Sequence, residues 1–510
     1  MTSKFLQAIR PFMSITPEVV KPPREVHFNE KVLWTITALI IYFVMASTPV
    51  YGAKLEGGDP YRYMRMITAS TRGSLADLGI GPIVTAGLIM QILTGSKIIA
   101  VNMGDPEERA LYTGAQKVLS LIMTFIEATA FLIGGNYGSP NDLLLTEQLT
   151  IITQLLLAGI IIILLDEMIQ KGWGLGSGIS LFIAGGIGLQ IFQGLFTVQT
   201  VYEGPPISTK QVYTVESARG IIIAFYAWTT QQDLLSAIVH LFFRYSPNPR
   251  DQLNLPALSL LSVIVTIVVF IIVVYVESMR IEIPIAYSEY KGIRSNYPIK
   301  LLYVSNIPVI LTSAVFADIY FIAQVVWNAS GGERTSNPLA LFLGTFRIDE
   351  TTQQYVPQSG LVFFMTPPQS FVGDGGFINL VNPIESVLRA LVYAIFLIIL
   401  CIIFAAMWLE TAGMGSKDVA QQLLQSGMQI PGWRRSKKIV ERRLEMYIPT
   451  IAVTGGFFIG ALAAFADFFG AIGSGMGILL SVSIMRQYLD LISKEKVAEM
   501  NPALRRFLGI

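Results

Sequence analysis

Cysteine and histidine are nearly absent from this 510-residue chain, which has one cysteine (Cys401) and two histidines (His27 and His240). A single cysteine excludes a disulfide framework and any zinc or iron–sulfur site built from cysteines. Two histidines far apart in the sequence leave little for a multi-histidine metal site. Charge is scarce too, since 14% of the residues are charged, against about 25% in soluble domains. With 53% apolar residues, the composition excludes a soluble domain and a disordered chain.

Long apolar runs are what the chain has instead. A membrane-spanning helix needs about 20 mostly apolar residues, and ten segments, numbered here in chain order, meet that requirement. They cover about 32–50, 76–95, 117–134, 148–168, 176–196, 257–277, 308–328, 386–408, 448–466 and 474–493. A further apolar run at 220–243 is interrupted by polar residues at 229–233 and is interpreted as amphipathic and extramembrane. The sequence therefore predicts an all-α polytopic membrane protein with ten transmembrane helices.

Basic residues select the orientation, because the cytosolic loops of membrane proteins carry an excess of Lys and Arg. Ten spans place both termini on one side, and that side carries 25 of the 36 Lys and Arg residues. Both termini are therefore predicted to be cytosolic. Residues 1–30 are charged and contain Pro17, Pro22 and Pro23, so no cleavable signal peptide is apparent. In this segment Phe5, Ile9 and Phe12 predict the apolar face of a short helix.

Two short motifs occur twice, at equivalent places in each set of five segments. Ile80–Val84 (IGPIV) opens segment 2, and Asn306–Ile310 (NIPVI) opens segment 7. A Gly-Ser-Gly triplet opens segment 5 at Gly176–Gly178 and segment 10 at Gly473–Gly475. An odd number of spans per repeat inverts the second copy. The motifs therefore favour two pseudo-symmetric, inverted halves of five helices each.

The repeated motifs also align apolar side chains. Residues four apart share a helix face, and the repeat places apolar residues at such positions in segments 2, 5, 7 and 10. Periodicity leaves two interpretations open. The four faces either converge on a central axis or take part in ordinary helix packing, since branched apolar residues fill most membrane helices.

Seven stretches of the chain match motifs of one membrane-protein family. They are Lys31–Thr35 (KVLWT), Leu78–Gln91 (LGIGPIVTAGLIMQ), Gly114–Lys117 (GAQK), Gly174–Ile183 (GLGSGISLFI), Tyr297–Lys300 (YPIK), Ser305–Pro308 (SNIP) and Ala466–Gly475 (ADFFGAIGSG). Through them the sequence resembles the SecY family, the large (alpha) subunit of the Sec protein-translocation channel, of the archaeal/eukaryotic type. The resemblance extends to about residue 493 and is weakest at 197–256 and 329–384.

The resemblance implies an hourglass pore between two halves hinged between segments 5 and 6. An apolar ring would close its waist, because an ion that sheds its water there loses on the order of several kcal/mol. By motif, and including the positions that the repeat aligns, the ring is Ile80, Val84, Ile179, Ile183, Ile310 and Leu480. The family also places a short plug helix at 61–71, where the alternative is a plain external loop. Its candidate residues are Tyr61, Met64, Ile67 and Thr71.

A lateral gate into the lipid is implied between segments 2–3 and 7–8. Thr85, Glu127 and Asp318 match the gate's polar cluster. The chain departs here from eukaryotic relatives, which carry amides at the last two positions. Two facing carboxylates repel each other when both are charged, so the neutral gate of the family is in question. The alternative is that either carboxylate faces water in the pore.

Two basic loops at 278–306 and 410–447 are predicted to be cytosolic. Such loops either orient the neighbouring helices or, as the resemblance implies, bind the ribosome, whose RNA phosphates attract Lys and Arg. Pro431–Arg434 (PGWR) resembles the family's loop-tip motif. The candidate ribosome contacts are Arg280, Lys291, Arg294, Lys300, Arg434, Arg435, Lys437 and Lys438. The resemblance further implies the beta and gamma subunits of a heterotrimer, signal peptides, nascent polypeptides and membrane lipid as partners, and no cofactor or metal.

The predicted organisation follows the chain. It comprises a cytosolic N-terminal segment (1–31), a first five-helix half (32–196), an external loop (197–256), a second half (257–493) and a cytosolic tail (494–510). The PGWR motif and Arg280–Pro284 resemble archaeal members more than eukaryotic ones. The cell membrane is therefore the expected location, with the endoplasmic reticulum as the alternative. Asn328-Ala329-Ser330 is a candidate glycosylation sequon on the external side.

The sequence thus predicts a protein-conducting channel that translocates secretory polypeptides and releases transmembrane segments laterally. A secondary transporter of a small solute is the alternative, because inverted repeats also describe that class. A transporter needs a polar midplane site, for which Glu127 and Asp318 are the candidates. A purely structural membrane scaffold is the third hypothesis. An enzyme is not predicted, because no nucleotide, nucleophile-triad or metal-ligand motif is apparent.

Overall fold

The protein is seen in a computed structural model. It describes residues 4–13, 16–54, 65, 68–96, 98–99, 101, 106–138, 143–196, 201–202, 215–216, 221, 260–287, 294–304, 307–332, 337–348, 355–367, 383–425, 428–429, 437–472 and 474–500. The helices among these residues are α1 (Lys4–Met13), α2 (Phe28–Ser47), α3 (Gly81–Gly95), α4 (Pro106–Ile133), α5 (Leu145–Met168), α6 (Gly178–Phe196), α7 (Leu260–Ser278), α8 (Ile307–Ala329), α9 (Pro338–Leu343), α10 (Leu361–Met365), α11 (Pro383–Thr411), α12 (Ser416–Gln425), α13 (Lys437–Phe468) and α14 (Gly475–Met500). A π-helical turn, Ile169–Trp173, extends α5.

Ten of these helices correspond to the ten predicted segments, namely α2 to α8, α11, α13 and α14. Within the described residues, eight are long and apolar enough to cross a membrane. The two exceptions are α3, which has 15 residues, and α14, whose second half is charged. The predicted run at 220–243 lies outside the described residues except for Ile221, which is buried.

The start of α3 differs from its predicted position because of a local turn. Segment 2 was expected from residue 76, whereas the helix begins at Gly81. Gly79 has a φ of +56°, and a side chain there would clash with the carbonyl oxygen of Thr68. Pro82 occupies the first turn, where its missing N–H needs no partner. The chain therefore turns sharply before α3 and brings Ile80, the N-cap residue, to the helix end.

Two buried aspartates hold the starts of α6 and α14 in the same way. Asp166, near the end of α5, accepts a hydrogen bond from the Ile179 N–H at 3.0 Å. Asp467, near the end of α13, accepts one from the Gly475 N–H at 2.6 Å. Gly178 and Gly475 are required because a side chain at either would clash with the preceding helix. The repeated Gly-Ser-Gly motif thus has the same structural role in each pseudo-symmetric half.

The two basic loops are joined by one sheet. Strands β3 (Arg280–Tyr287) and β4 (Arg294–Lys300) form an antiparallel hairpin in the first loop. The short strand β7 (Met428–Gln429) of the second loop pairs with the end of β3. The order β4-β3-β7 brings the two loops side by side.

The remaining strands lie in the two regions where the resemblance is weakest. β1 (Val201–Tyr202) pairs with β2 (Val215–Glu216), and β5 (Thr345–Ile348) pairs with β6 (Tyr355–Ser359). The β5–β6 hairpin packs on the end of α8, where Phe346 contacts Trp327 edge to face with ring centroids 5.5 Å apart.

The N-terminal residues are tied to α4 and α5. Helix α1 packs on α4 through Ile9, whereas Phe12 is 60% exposed, so the predicted apolar face is only partly buried. After α1, Lys171 pairs with Glu18 and, at 2.9 Å, with Glu167. The hydrogen bond that Lys171 donates holds the pKa of the Glu18 carboxyl below its usual range.

Candidate functional site: an apolar waist and the seam beside it

The six predicted ring residues, which we call the waist, all belong to the main apolar core of the protein, and four of them line one small cavity. They come from four helices and both halves, with two residues each from α3 and α6 and one each from α8 and α14. The members are Ile80, Val84, Ile179, Ile183, Ile310 and Leu480. Three of them, Ile80, Ile183 and Leu480, are at most 2% exposed, and the others are partly buried against them.

A small cavity of about 10 Å³ lies at the waist. That volume is at the lower limit for a single water molecule. Four waist residues line it together with Thr68, Gly81, Thr85, Ser313, Ala314, Ala317 and Asp318, whereas Ile179 and Leu480 do not. The cavity that the described residues form at the waist is therefore too small for an ion with its hydration shell.

The segment before α3 closes one side of this cavity, but through a residue that the sequence did not single out. Of the four candidate plug residues, Tyr61, Met64 and Ile67 lie outside the described residues. Thr71 is exposed on a turn instead of lying against the waist. Thr68 is the residue of this segment that lines the cavity.

A buried ion pair anchors the same segment. Arg65 pairs with Asp77, and their side chains are 6% and 0% exposed. Arg65 also donates to Asn136 Oδ1 at 2.9 Å, and Asn136 donates to Asp77 Oδ2 at 3.0 Å. The guanidinium carbon lies 5.7 Å from the ring centroid of Phe131. The segment that faces the cavity is thus fastened to the end of α4.

The three candidate gate residues also come together, at the junction of α3, α4 and α8. Thr85 on α3 donates to Asp318 Oδ1 on α8 at 3.1 Å. Glu127 on α4 is 3% exposed and lies close enough to interact electrostatically with both. We call the contact of α4 with α8, including these three residues, the seam. Since Thr85 and Asp318 also line the cavity, the waist and the seam are continuous.

At the other end of the seam, two aromatic rings pack against each other and a hydrogen bond joins the two helices. Phe131 of α4 packs on Phe321 of α8 with ring centroids 5.2 Å apart. Asn328 at the end of α8 donates to the carbonyl oxygen of Gly134 at 2.9 Å. The nitrogen that glycosylation at the candidate sequon would modify is therefore engaged in this hydrogen bond.

The candidate ribosome contacts are only partly described. Lys291, Arg434 and Arg435 lie outside the described residues. Arg294 lies in β4, Lys437 begins α13, and Lys438 is exposed in its first turn.

Two of the exposed basic residues lie opposite each other in the hairpin. Arg280 of β3 is the antiparallel partner of Lys300 of β4. Lys300 forms an ion pair with Asp490 of α14 at 3.2 Å. Arg280 is exposed and has no ion pair within the described part of the chain.

Sequence reasoning missed the groups that hold the waist in place. Asp77, Asp166 and Asp467 are buried carboxylates that bind backbone N–H groups, and each follows or precedes a glycine turn. The available signal was an aspartate before a Gly-rich helix start in both halves.

Ten helices in two pseudo-symmetric halves that meet at an apolar waist define a membrane channel. A model of the SecY family matches residues 74–489, and a model described as the plug domain of Sec61p matches residues 40–73. The first match alone covers well over half of the chain. The chain belongs to the SecY family, and the resemblance found in its sequence motifs is confirmed.

Solved structures agree with this assignment. A structure described as "The structure of a protein conducting channel" is 36% identical, with a TM-score of 0.74, over 97% of this chain and 99% of that chain. A second, described as a SecY protein whose plug domain stabilises the closed state, is 35% identical with a TM-score of 0.73 over the same shares. Canine Sec61, from a ribosome-channel complex of the endoplasmic reticulum, is 35% identical with a TM-score of 0.71, again over 97% and 99%.

Proposed function

We propose that this chain is the pore of a protein-conducting channel, with the waist as its seal and the seam as its lateral exit. The observation that carries the proposal is that four of the six waist side chains, from three helices of both halves, meet around a cavity of about 10 Å³. An ion gains no partner there to replace its water. Aliphatic side chains still move apart around a polypeptide, because they form no fixed hydrogen bonds with one another.

The seam explains how one channel serves two kinds of client. About twenty Leu-like residues gain roughly 6–12 kcal/mol on entering the bilayer, whereas a central Arg costs about 3 kcal/mol. A client segment at the seam meets both water and lipid. This balance then decides whether the segment inserts into the membrane or crosses it. The reported relatives are channels, and none of them supports a small-solute transporter.

The proposal includes partners and a location. The canine relative is described in a ribosome-channel complex, and the sheet β4-β3-β7 holds the two basic loops of this chain together in a way that suits one ribosome contact. Beta and gamma subunits, signal peptides, nascent chains and lipid complete the set of partners. The chain would be a non-enzymatic multi-pass protein of the cell membrane with both termini in the cytosol, and the endoplasmic reticulum is the alternative membrane.

The division of the chain follows from the same proposal. The halves are 32–196 and 257–493, with the plug at 61–71 inside the first half and the basic loops inside the second. The Arg65–Asp77 ion pair supports a plug that is fastened beside the waist when no client is present.

Ion conductance of the client-free channel in planar bilayers tests the seal. The double variant Val84→Gly with Ile310→Gly removes two waist side chains from helices of opposite halves. We expect its conductance to rise severalfold over that of the unmodified channel, because the apolar contact that excludes ions is lost.

The matched control is Ile92→Gly with Ile322→Gly, on the same two helices. Both residues are exposed on the outer surface of the fold, 41% and 51% respectively. The intrinsic helix cost, about 1 kcal/mol per glycine, is the same in both double variants. Equal conductance in the two double variants would remove the waist from the seal and with it the proposed function.

A further inference from the structure

The seam contains a buried carboxyl group that has no basic partner among the described residues. Glu127 is 3% exposed, and both of its carboxylate oxygens lack a hydrogen-bond partner. Thr85 has one hydroxyl proton and donates it to Asp318 Oδ1, so it does not serve Glu127 as well. Within the described part of the chain, neither Glu127 nor Asp318 forms an ion pair, and Asp318 only adds a second acidic group.

In its ionised form, such a carboxyl group strongly destabilises the folded protein unless a partner neutralises its buried charge. The described residues offer no group of three His, Cys, Asp or Glu side chains for a metal ion. The cavity beside Asp318 accommodates one water at most. While the seam is closed, a proton on one of the two carboxyls supplies the neutralisation. When the seam parts, a cationic group that arrives from outside the chain can take the place of that proton.

We propose that Glu127 and Asp318 bind a basic side chain of a client segment as it leaves through the seam. The inference rests on the proposed function, because it needs a client to pass between α4 and α8. Ionised carboxylates only accept hydrogen bonds, whereas Lys and Arg side chains only donate them. The two acids come from opposite sides of the seam, so a client between α4 and α8 presents its side chains to both.

The site changes which segments enter the membrane. One central Lys or Arg normally opposes insertion. An ion pair at the seam offsets part of that free-energy penalty while the client segment partitions between insertion and translocation. A segment with a central Asp gains nothing and meets repulsion from two carboxylates. The channel thereby favours clients with one basic residue over acidic clients of the same hydrophobicity.

Reporter segments passed through the assembled channel test the site. Each has about twenty Leu and Ala residues, with Leu only, one Lys or one Asp at successive positions, and the ratio of inserted to translocated chains is measured by protease protection. The channel variant is Glu127→Gln with Asp318→Asn, which removes both charges and keeps the shapes. We expect the ratio for central-Lys reporters to fall about tenfold, equivalent to about 1.4 kcal/mol, and the ratio for Asp reporters to rise.

The Leu-only reporter separates this inference from the proposed function. It is the reference against which the Lys and Asp ratios of each channel are compared, and its failure to insert through the unmodified channel would overturn the proposed function itself. A matched charge control is Glu410→Gln, which removes one exposed carboxylate at the end of α11 and should leave all ratios unchanged.

Two outcomes would contradict the proposal that Glu127 and Asp318 bind a basic side chain of the client. If the Lys, Asp and Leu-only ratios change equally or not at all, a proton shared by the two acids is their partner and no client side chain binds. If Glu410→Gln reproduces the effect, general surface charge is responsible. Should the double variant fold poorly, Asp318→Asn alone must still lower the Lys ratio selectively.

Discussion

Arg65 and Asp77 hold the segment that carries Thr68 beside the waist. Both are buried, and each makes further contacts, since Gly73 donates its N–H to Asp77 Oδ2 at 2.9 Å and Arg65 donates to Asn136. Removing one partner of a buried ion pair costs about 3–5 kcal/mol, because the other charge is left uncompensated, whereas replacing both by apolar residues is often neutral. The two charges therefore act as one unit.

We predict that Asp77→Leu destabilises the protein by about 3 kcal/mol and raises the ion conductance of the client-free channel. Without Asp77, the charged Arg65 side chain would move towards water and displace the segment that carries Thr68 from the cavity. The double variant Arg65→Met with Asp77→Leu should recover part of the stability. Thermal unfolding in detergent measures the first effect and bilayer recording the second, and equal stability of the single and double variants would contradict the role of the ion pair.

For individual residues, the sequence predicts which apolar side chains form the site better than it predicts the polar side chains that support it. Repeated motifs locate Ile80 and Ile183, because helical spacing fixes which face they share. The Arg65–Asp77 pair has no such signal. Its residues are twelve positions apart, and they meet only because the turn at Gly79 and the end of α4 bring them together.

At the scale of helices, the seam is held mainly where α4 and α8 end. Phe131 and Phe321 pack along it, and the amide of Asn328 closes its end through the Gly134 carbonyl. A neutral hydrogen bond contributes about 1 kcal/mol to such a closed state. Opening the seam breaks this bond, so its loss should shift the equilibrium towards the open form.

We predict that Asn328→Leu increases insertion of a marginally hydrophobic reporter about fivefold, the equivalent of about 1 kcal/mol. Ser330→Ala is the matched control, because it abolishes the same glycosylation sequon and keeps the Asn328 amide. The ratio of inserted to translocated reporter is the measurement. An equal increase in both variants would attribute the effect to a lost glycan and exclude the hydrogen bond as its cause.

Helix bounds show where sequence patterns are insufficient. Hydropathy predicts segment 2 from residue 76, but the turn at Gly79 and Pro82 delays α3 to Gly81. Segment 9 was expected from 448, whereas α13 begins at Lys437, because a basic, charged first part continues the same helix. The sheet between the two loops was not predicted, since the pairing of β3 with β7 joins strands more than 140 positions apart.

For the whole molecule, the sheet makes one surface from two distant loops. The pairing Ala286–Gln429 and Tyr287–Met428 brings the basic loops of the second half together. Arg280 and Lys300 lie opposite each other in the hairpin, but they differ in whether an ion pair already neutralises their charge. Lys300 is paired with Asp490, whereas Arg280 is exposed without an ion pair in the described part of the chain. A phosphate-rich partner should therefore engage Arg280 more strongly than Lys300.

Ribosome binding measured across a series of salt concentrations checks this expectation. Each phosphate contact that is lost should reduce the slope of log affinity against log salt by about one. We predict this reduction for Arg280→Ala and a smaller one for Lys300→Ala, because Lys300 must first give up Asp490. Asp490→Asn serves as the matched control and should strengthen binding, since it releases Lys300. An affinity for ribosomes that does not change with salt would rule out phosphate contacts by these loops, whichever residue is substituted.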